Sequence, residues 1–365
     1  MSGYDGLVAL GWTTELEAAF AGHAERGFLP ARVTVEHRGA YDVRSADAEG
    51  TAAVAGKFRF EAASPADFPA VGDWVAIAGS PAEDGSTIHA VLPRRTVFTR
   101  LAAGLKTDGQ VVAANVDLVF VAMALDGDFN LRRLERYLAV AWSSGAEPVV
   151  LLTKADKSDD IDGHLLAVES IAPGVTTLAI SARTGAGMAG VVALLGPGRT
   201  AAVLGSSGVG KSTLINALLG MELLDTGEIR DDDSRGRHTT THRQLVILPG
   251  GACIVDTPGM RELGIWEGDG LGSAFADIDE LANGCRFSDC RHEREPGCAV
   301  NRAIADGSLP SERLDAQRKL EREAAKTEAR RTAGSRAAAR RTARSYRDAA
   351  IDAMARKSTF DGRSR

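Results

Sequence analysis

The order in which four short motifs occur along the chain constrains its fold more than any one of them alone. Gly205-Ser206-Ser207-Gly208-Val209-Gly210-Lys211-Ser212, followed by Thr213, has the glycine-rich form that wraps a phosphate chain. Its glycines let successive backbone N–H groups point inward, and a helix starting near Lys211 adds its positive end. Two motifs suited to reading a nucleotide base, Thr153-Lys154-Ala155-Asp156 and Ser181-Ala182, precede this loop, and Asp256-Thr257-Pro258-Gly259 follows it. In the usual arrangement the phosphate loop comes first and the base-reading motif last. Here the base half has moved ahead of the phosphate half. A sheet that gathers all four motifs at one edge must therefore be joined in a permuted order.

Each motif carries a definite chemistry. Lys211 is placed to reach the β- and γ-phosphates and is a candidate catalytic cation, and the Ser212 hydroxyl can ligate Mg²⁺. Asp256 follows the apolar run Cys253-Ile254-Val255 and can hold the same ion through water, while the Gly259 N–H can sense a γ-phosphate. Asp156 can accept from both N1–H and N2–H₂ of guanine, a pattern adenine does not offer. The Lys154 stem can pack on the base plane, and Ser181-Ala182 supplies a backbone N–H for the guanine carbonyl. Thr153 stands where Asn is usual, a departure expected to weaken contacts to the base. Between phosphate loop and DxxG lies Gly236-Arg237-His238-Thr239-Thr240-Thr241-His242-Arg243. A threonine there, for which Thr240 is favoured, can complete the Mg²⁺ shell and make the segment a switch. After DxxG, many such enzymes carry a glutamine that orients water; here the residue is Met260. Slow intrinsic hydrolysis is therefore expected, with His238 the candidate in sequence for orienting water.

Around these motifs the pattern divides the chain. Residues 1–30 form an N-terminal segment in which 13–26 read as a short, loosely held helix. Residues 31–100 contain short β-type runs (31–35, 51–60, 73–77 and 86–92) separated by Gly, Asp and Pro turns. An oligonucleotide-binding (OB) barrel of five strands fits that length, with an SH3-like barrel as the alternative. Residues 101–270 alternate strands (116–122, 148–152, 201–204, 245–248 and 252–255) with helices (131–143 and 212–219), the pattern of a doubly wound α/β sheet. Residues 271–320 form a smaller α-rich unit, and 321–365 a basic Ala/Arg-rich tail.

In the α-rich unit Cys285, Cys290, His292 and Cys298 lie within fourteen residues. Three thiolates and an imidazole complete a tetrahedron with no open position, so a structural zinc is expected. Cys253 lies in an apolar strand and reads as a small buried side chain. The net charge is −6, yet from Glu312 onward 16 Lys and Arg face 8 Asp and Glu, so a tail of +8 is attached to a body of −14. Such asymmetry suits an anionic partner, RNA before membrane, because the tail has few large apolar residues. No apolar run is long enough to span a bilayer, and no secretory signal opens the sequence, so a cytoplasmic protein is expected.

From about residue 30 to 310 the chain closely resembles the circularly permuted, ribosome small-subunit-dependent GTPase family. The resemblance is carried by Ala114-Asn115-Val116-Asp117, Asp128-Phe129-Asn130-Leu131-Arg132-Arg133, Gly236-Arg237-His238-Thr239-Thr240-Thr241, Asp256-Thr257-Pro258-Gly259-Met260-Arg261-Glu262 and the Cys/His cluster. It implies an OB barrel, a permuted GTPase domain and a zinc-binding domain in that order. It further implies GTP hydrolysis stimulated by the small ribosomal subunit late in its maturation, contact with ribosomal RNA, and a catalytic role for His238. GTP and GDP, the small subunit and its RNA are the expected partners, with no membrane and a monomeric state. Two rivals remain: an RNA-binding scaffold with a merely regulatory pocket, which Met260 favours, and an ATP-using enzyme, which Asp156 opposes. A DNA-binding zinc finger is disfavoured by the ligand spacing.

Overall fold

A computed structural model describes residues 4–101, 109–220, 243–256, 274–326 and 329. The N-terminal helices α1 (Asp5–Val8) and α2 (Thr14–Ala24) lead into a barrel. The expectation of a loosely held helix over 13–26 is corrected. Thr13 caps α2, and Leu16 and Phe20 are buried in the main core beside Leu7, Leu10 and Trp12. The Trp12 ring meets Trp74 of the barrel edge-on, with 4.8 Å between centroids. Apolar spacing within α2 is weak by itself, so its anchoring comes from these distant aromatic contacts.

The barrel strands are β1 (Leu29–Glu36), β2 (Ala40–Arg44), β3 (Glu49–Val54), β4 (Trp74–Ala78) and β5 (Thr87–Val91). Alternate residues point inward, among them Ala31, Val33, Tyr41, Val43, Ala52, Val54, Val75, Ile77 and Ile88. The strands close in the order β1-β2-β3-β5-β4-β1, with only β3–β5 parallel. That closure, with helix α3 (Gly56–Glu61) between β3 and β4, is the OB type rather than the SH3-like one. The run 51–60, expected to be one strand, is therefore corrected to a strand and a helix. Phe58 and Phe60 would share a face in a strand but lie about 200° apart on a helix. Phe58 packs against the barrel interior and Phe60 is 91% exposed.

A hairpin, β6 (Val97–Leu101) and β7 (Gly109–Ala114), leads to the α/β sheet. Its elements are β8 (Leu118–Ala124), α4 (Leu131–Ser143), β9 (Glu147–Thr153), α5 (Ile161–Glu169), β10 (Thr177–Ala179) and α6 (Met188–Leu194). They continue with β11 (Thr200–Leu204), α7 (Lys211–Leu219), β12 (Gln244–Ile247) and β13 (Cys253–Asp256). The spatial order is β10-β9-β8-β11-β13-β12, parallel except for β12. Near-continuous apolar runs in β8, β9 and β11 match a sheet covered on both faces. The outer edge of β12 pairs with β1 at Val35↔Gln244, so barrel and α/β sheet form one eleven-stranded surface. Helices α8 (Ala276–Ala282), α9 (Ala299–Ala305) and a helix across 311–326 complete the described chain. No helix among the described residues is long and apolar enough to cross a membrane.

Arg32 joins the N-terminal segment, barrel and α/β sheet. It is fully buried, donates to the backbone carbonyls of Leu10, Gly72 (3.3 Å) and Asn115 (3.2 Å), and lies 5.4 Å from the Trp74 ring. Arg32→Ala would strand those carbonyls and open a cavity. The expected loss is about 2–4 kcal/mol of stability, read as an earlier midpoint in urea unfolding. An unchanged midpoint would show that water replaces the guanidinium.

Candidate nucleotide-binding site and metal centre

Because β8, β9, β11 and β13 run parallel, their C-terminal ends share one edge of the sheet, and the loops leaving them converge there. The phosphate loop leaves β11. A Cβ on Gly205 would stand 2.8 Å from the Ala122 carbonyl oxygen and 2.9 Å from Val209 Cγ1, so no larger residue fits without a shift. Gly208 and Gly210 have φ of +73° and +100°, which other residues rarely adopt. Gly210 then opens α7, whose first residue is Lys211. Lys211 Nζ donates to the carbonyls of Gly205 (2.8 Å) and Ser206 (2.6 Å), folding its stem back across the loop.

The base-reading turn leaves β9 beside it. The buried Thr153 hydroxyl donates to the Val209 carbonyl of the phosphate loop at 2.6 Å. The Thr153 side chain is spent on tying the turn to the loop, which a hydroxyl can do as a donor. Lys154 has φ +56°, and its ammonium lies 2.6 Å from Asp126. Asp156 accepts from Arg183 at 2.7 Å. The Ser181 hydroxyl, and then Arg183, hold the Asp156 carboxyl below its ordinary range, so it is a carboxylate acceptor at neutral pH. Ser181 is buried and Ala182, next to it, is half-buried.

Sequence reasoning gave no role to Asp126, Asp128 or Arg183. The first two follow the apolar strand β8, and Asp128 also opens the run to Arg133 that carries the family resemblance. The Ser206 hydroxyl donates to Asp128, and Arg133 pairs with Asp128 at 2.7 Å. Burial alone would raise the Asp128 carboxyl, but the Ser206 and Arg133 hydrogen bonds outweigh it and hold it low.

On the far side of the loop Asp256 ends β13. Burial pushes its carboxyl up, opposed by the Lys211 ammonium. A half-buried acid beside the Ser212-bearing helix suits a hard divalent cation, which would favour the charged form. His238, Thr240 and Gly259 lie outside the described residues.

The Cys/His cluster forms a second centre. Its four ligand atoms lie within 4.8 Å of one another. Cys285 and Cys298 Sγ are 3.9 Å apart, and His292 Nδ1 lies 3.6 and 3.4 Å from them. A tetrahedron with zinc–ligand bonds of ~2.3 Å to sulfur and ~2.0–2.1 Å to nitrogen has edges of roughly 3.5–3.8 Å. Cys285, His292 and Cys298 therefore match a metal of that size, with the Cys290 thiol within 4.8 Å of them as the fourth candidate ligand. Backbone N–H groups of Ala299 and Asn301 donate to Cys285 and Cys298 at 3.3 Å, which stabilises thiolates. His292 has φ +58°, and its carbonyl accepts from Arg318 at 2.8 Å.

A family model described as RsgA GTPase matches residues 91–266. The chain is 50% identical over 317 residues to the small ribosomal subunit biogenesis GTPase RsgA 2 of Lactiplantibacillus plantarum, covering 87% of this chain and 89% of the relative. Among solved structures it is similar to YjeQ from Thermotoga maritima, with a TM-score of 0.61 and 27% identity, covering 81% of this chain and 98% of that one. YloQ, described as a circularly permuted GTPase, shares the fold at a TM-score of 0.59 and 23% identity, covering 82% and 96% of the two chains.

Cys285→Ser is expected to lower the metal content of purified protein, measured by elemental analysis against the parent. It should also make the segment around α8 and α9 sensitive to protease, since a site of this kind stabilises its fold directly. Retained metal with unchanged protease resistance would remove Cys285 from the ligand set.

Proposed function

The chain belongs to the RsgA GTPase family and is a GTP hydrolase of ribosome biogenesis, and from that premise we propose that its turnover serves late maturation of the small ribosomal subunit and is stimulated by that subunit. Residues Gly205 to Thr213 receive the phosphates, with Lys211 supplying charge where it develops during transfer. Asp156 reads guanine, with Lys154, Ser181 and Ala182 framing the base and Thr153 fixing that frame to the phosphate loop. Mg²⁺, held by Ser212 and Asp256 with Thr240, would neutralise phosphate charge. Gly259 senses the γ-phosphate and His238 orients the attacking water. The observation that carries this reading is the 2.6 Å hydrogen bond from Thr153 to Val209, which joins the base-reading turn to the phosphate loop across 56 residues of chain.

Zinc at Cys285, Cys290, His292 and Cys298 is structural, holding a unit that grips ribosomal RNA together with the barrel and the basic tail. The charge asymmetry of the chain and the OB-type barrel support RNA as that partner. The protein acts as a monomer in the cytoplasm. Met260, in place of a water-orienting glutamine, supports slow turnover until the subunit completes the site.

Phosphate release from GTP and ATP, alone and with small or large subunits, tests the proposal. The expected result is slow GTP turnover that rises sharply with small subunits only. Equal stimulation by both subunits, or none, would contradict the assigned role.

A further inference from the structure

The phosphate loop is pinned at two residues by side chains from the half of the sheet that precedes it in sequence. One pin is Thr153 on the Val209 carbonyl. The other belongs to none of the nucleotide-binding motifs: the Ser206 hydroxyl donates to Asp128 Oδ2 across 78 residues of chain. Asp128 is itself held. Its Oδ1 lies 2.7 Å from Arg133 Nη2, and the same guanidinium donates to the Asp128 carbonyl. Arg133 lies in the first turn of α4, which Asn130 caps by accepting from the Arg133 N–H at 3.0 Å. On its other side, the Ser206 carbonyl accepts from Lys211 Nζ. Ser206 is thus fixed through its backbone by the phosphate-reaching lysine and through its side chain by Asp128.

Resting on the reading of this loop as the cradle for GTP, we propose that Asp128 is a positioning residue for GTP binding and hydrolysis. It holds Ser206, and through it the first turn of the phosphate loop, in the shape that receives the phosphates. A carboxylate beside a polyphosphate repels it, so its charge does not favour binding. That charge is balanced by Arg133 and Lys154. What Asp128 contributes is an acceptor at a fixed point. Loss of the acceptor frees the Ser206 hydroxyl to rotate and the loop to open, whereas an asparagine, with one acceptor oxygen where Ser206 and Arg133 use two, keeps only part of the hold.

The test measures Kd for a fluorescent GTP analogue and subunit-stimulated kcat on the full chain and on Asp128→Ala, Asp128→Asn, Ser206→Ala and the Asp128→Ala/Ser206→Ala double variant. A hydrogen bond to a charged group is worth about a tenfold change in affinity. Asp128→Ala is therefore expected to weaken GTP binding about tenfold, with Ser206→Ala matching it. The double variant should be no worse than either single one, because both remove one interaction. Asp128→Asn, which has one acceptor oxygen for Ser206 and Arg133, should fall between the parent and Asp128→Ala. A general folding defect would not give this non-additivity. Multiplying effects in the double variant, or parental affinity in Asp128→Ala or Ser206→Ala, would each overturn the proposal. If Asp128→Ala does not fold, Ser206→Ala decides it alone, parental affinity there being the overturning result. Competition of the parent protein by ATP is run alongside: ATP binding as tight as GTP would sink the guanine reading while leaving the Asp128 result to stand or fall separately.

Discussion

Everything at the nucleotide site depends on the insertion of β11 between β8 and β13. The parallel pairs Ala201↔Leu118 and Leu204↔Val121 on one side, and Thr200↔Cys253 and Ala202↔Val255 on the other, put a strand from the middle of the chain at the centre of the sheet. Once β11 is there, the loops after β8, β9, β11 and β13 share one edge regardless of the order in which the chain visits them. Permutation leaves the site intact because the site is a property of strand neighbours, not of sequence order. What it changes is the attachment. The barrel now enters through β7 and β8, and its β1 also borders β12, with Glu36 and Arg243 paired at 2.8 Å across that join.

The Cys/His cluster is fastened to the same sheet by a network of buried charge. Arg313, on the helix across 311–326, meets Glu135 of α4 at 3.0 Å and Asp277 of α8 at 2.7 Å, and its guanidinium lies 5.0 Å from the Phe275 ring. Burial pushes the Glu135 carboxyl up, and the Arg313 charge opposes it. Such a network adds little net stability over an apolar contact, but loss of one partner costs about 3–5 kcal/mol. It therefore specifies one docking geometry. The same helix reaches the His292 carbonyl through Arg318 and Glu323 reaches Arg136 of α4, so the Cys/His loop and α4 share one support. Helix α4 in turn begins at the Asp128–Arg133 pair that holds Ser206.

Much of this was legible in the residues. Leu131–Ser143 is the helix its pattern implies, the strands that deliver Thr153 and Gly205 end where the motifs require, and the four Cys and His side chains of the cluster converge. These features are written in local spacing. The misses are of a different kind. The Phe58-x-Phe60 spacing satisfies a strand, and only burial of one ring and exposure of the other identifies a helix. The role of Thr153 depends on a carbonyl 56 residues away, and that of Asp128 on a hydroxyl 78 residues away. No window of sequence contains both partners. The anchoring of α2 likewise depends on Trp74, which local periodicity does not see.

The central claim is that motifs visited in permuted order form one guanine-specific site. Asp156→Asn tests it most directly, by measuring the affinity of the variant for GTP and for xanthosine triphosphate. An asparagine amide offers a donor where xanthine carries a carbonyl, so the account predicts that GTP affinity falls at least about tenfold and xanthosine triphosphate becomes the preferred ligand. Undiminished GTP affinity with no gain for xanthosine triphosphate would mean that Asp156 does not face the base, and the assembled site would be contradicted.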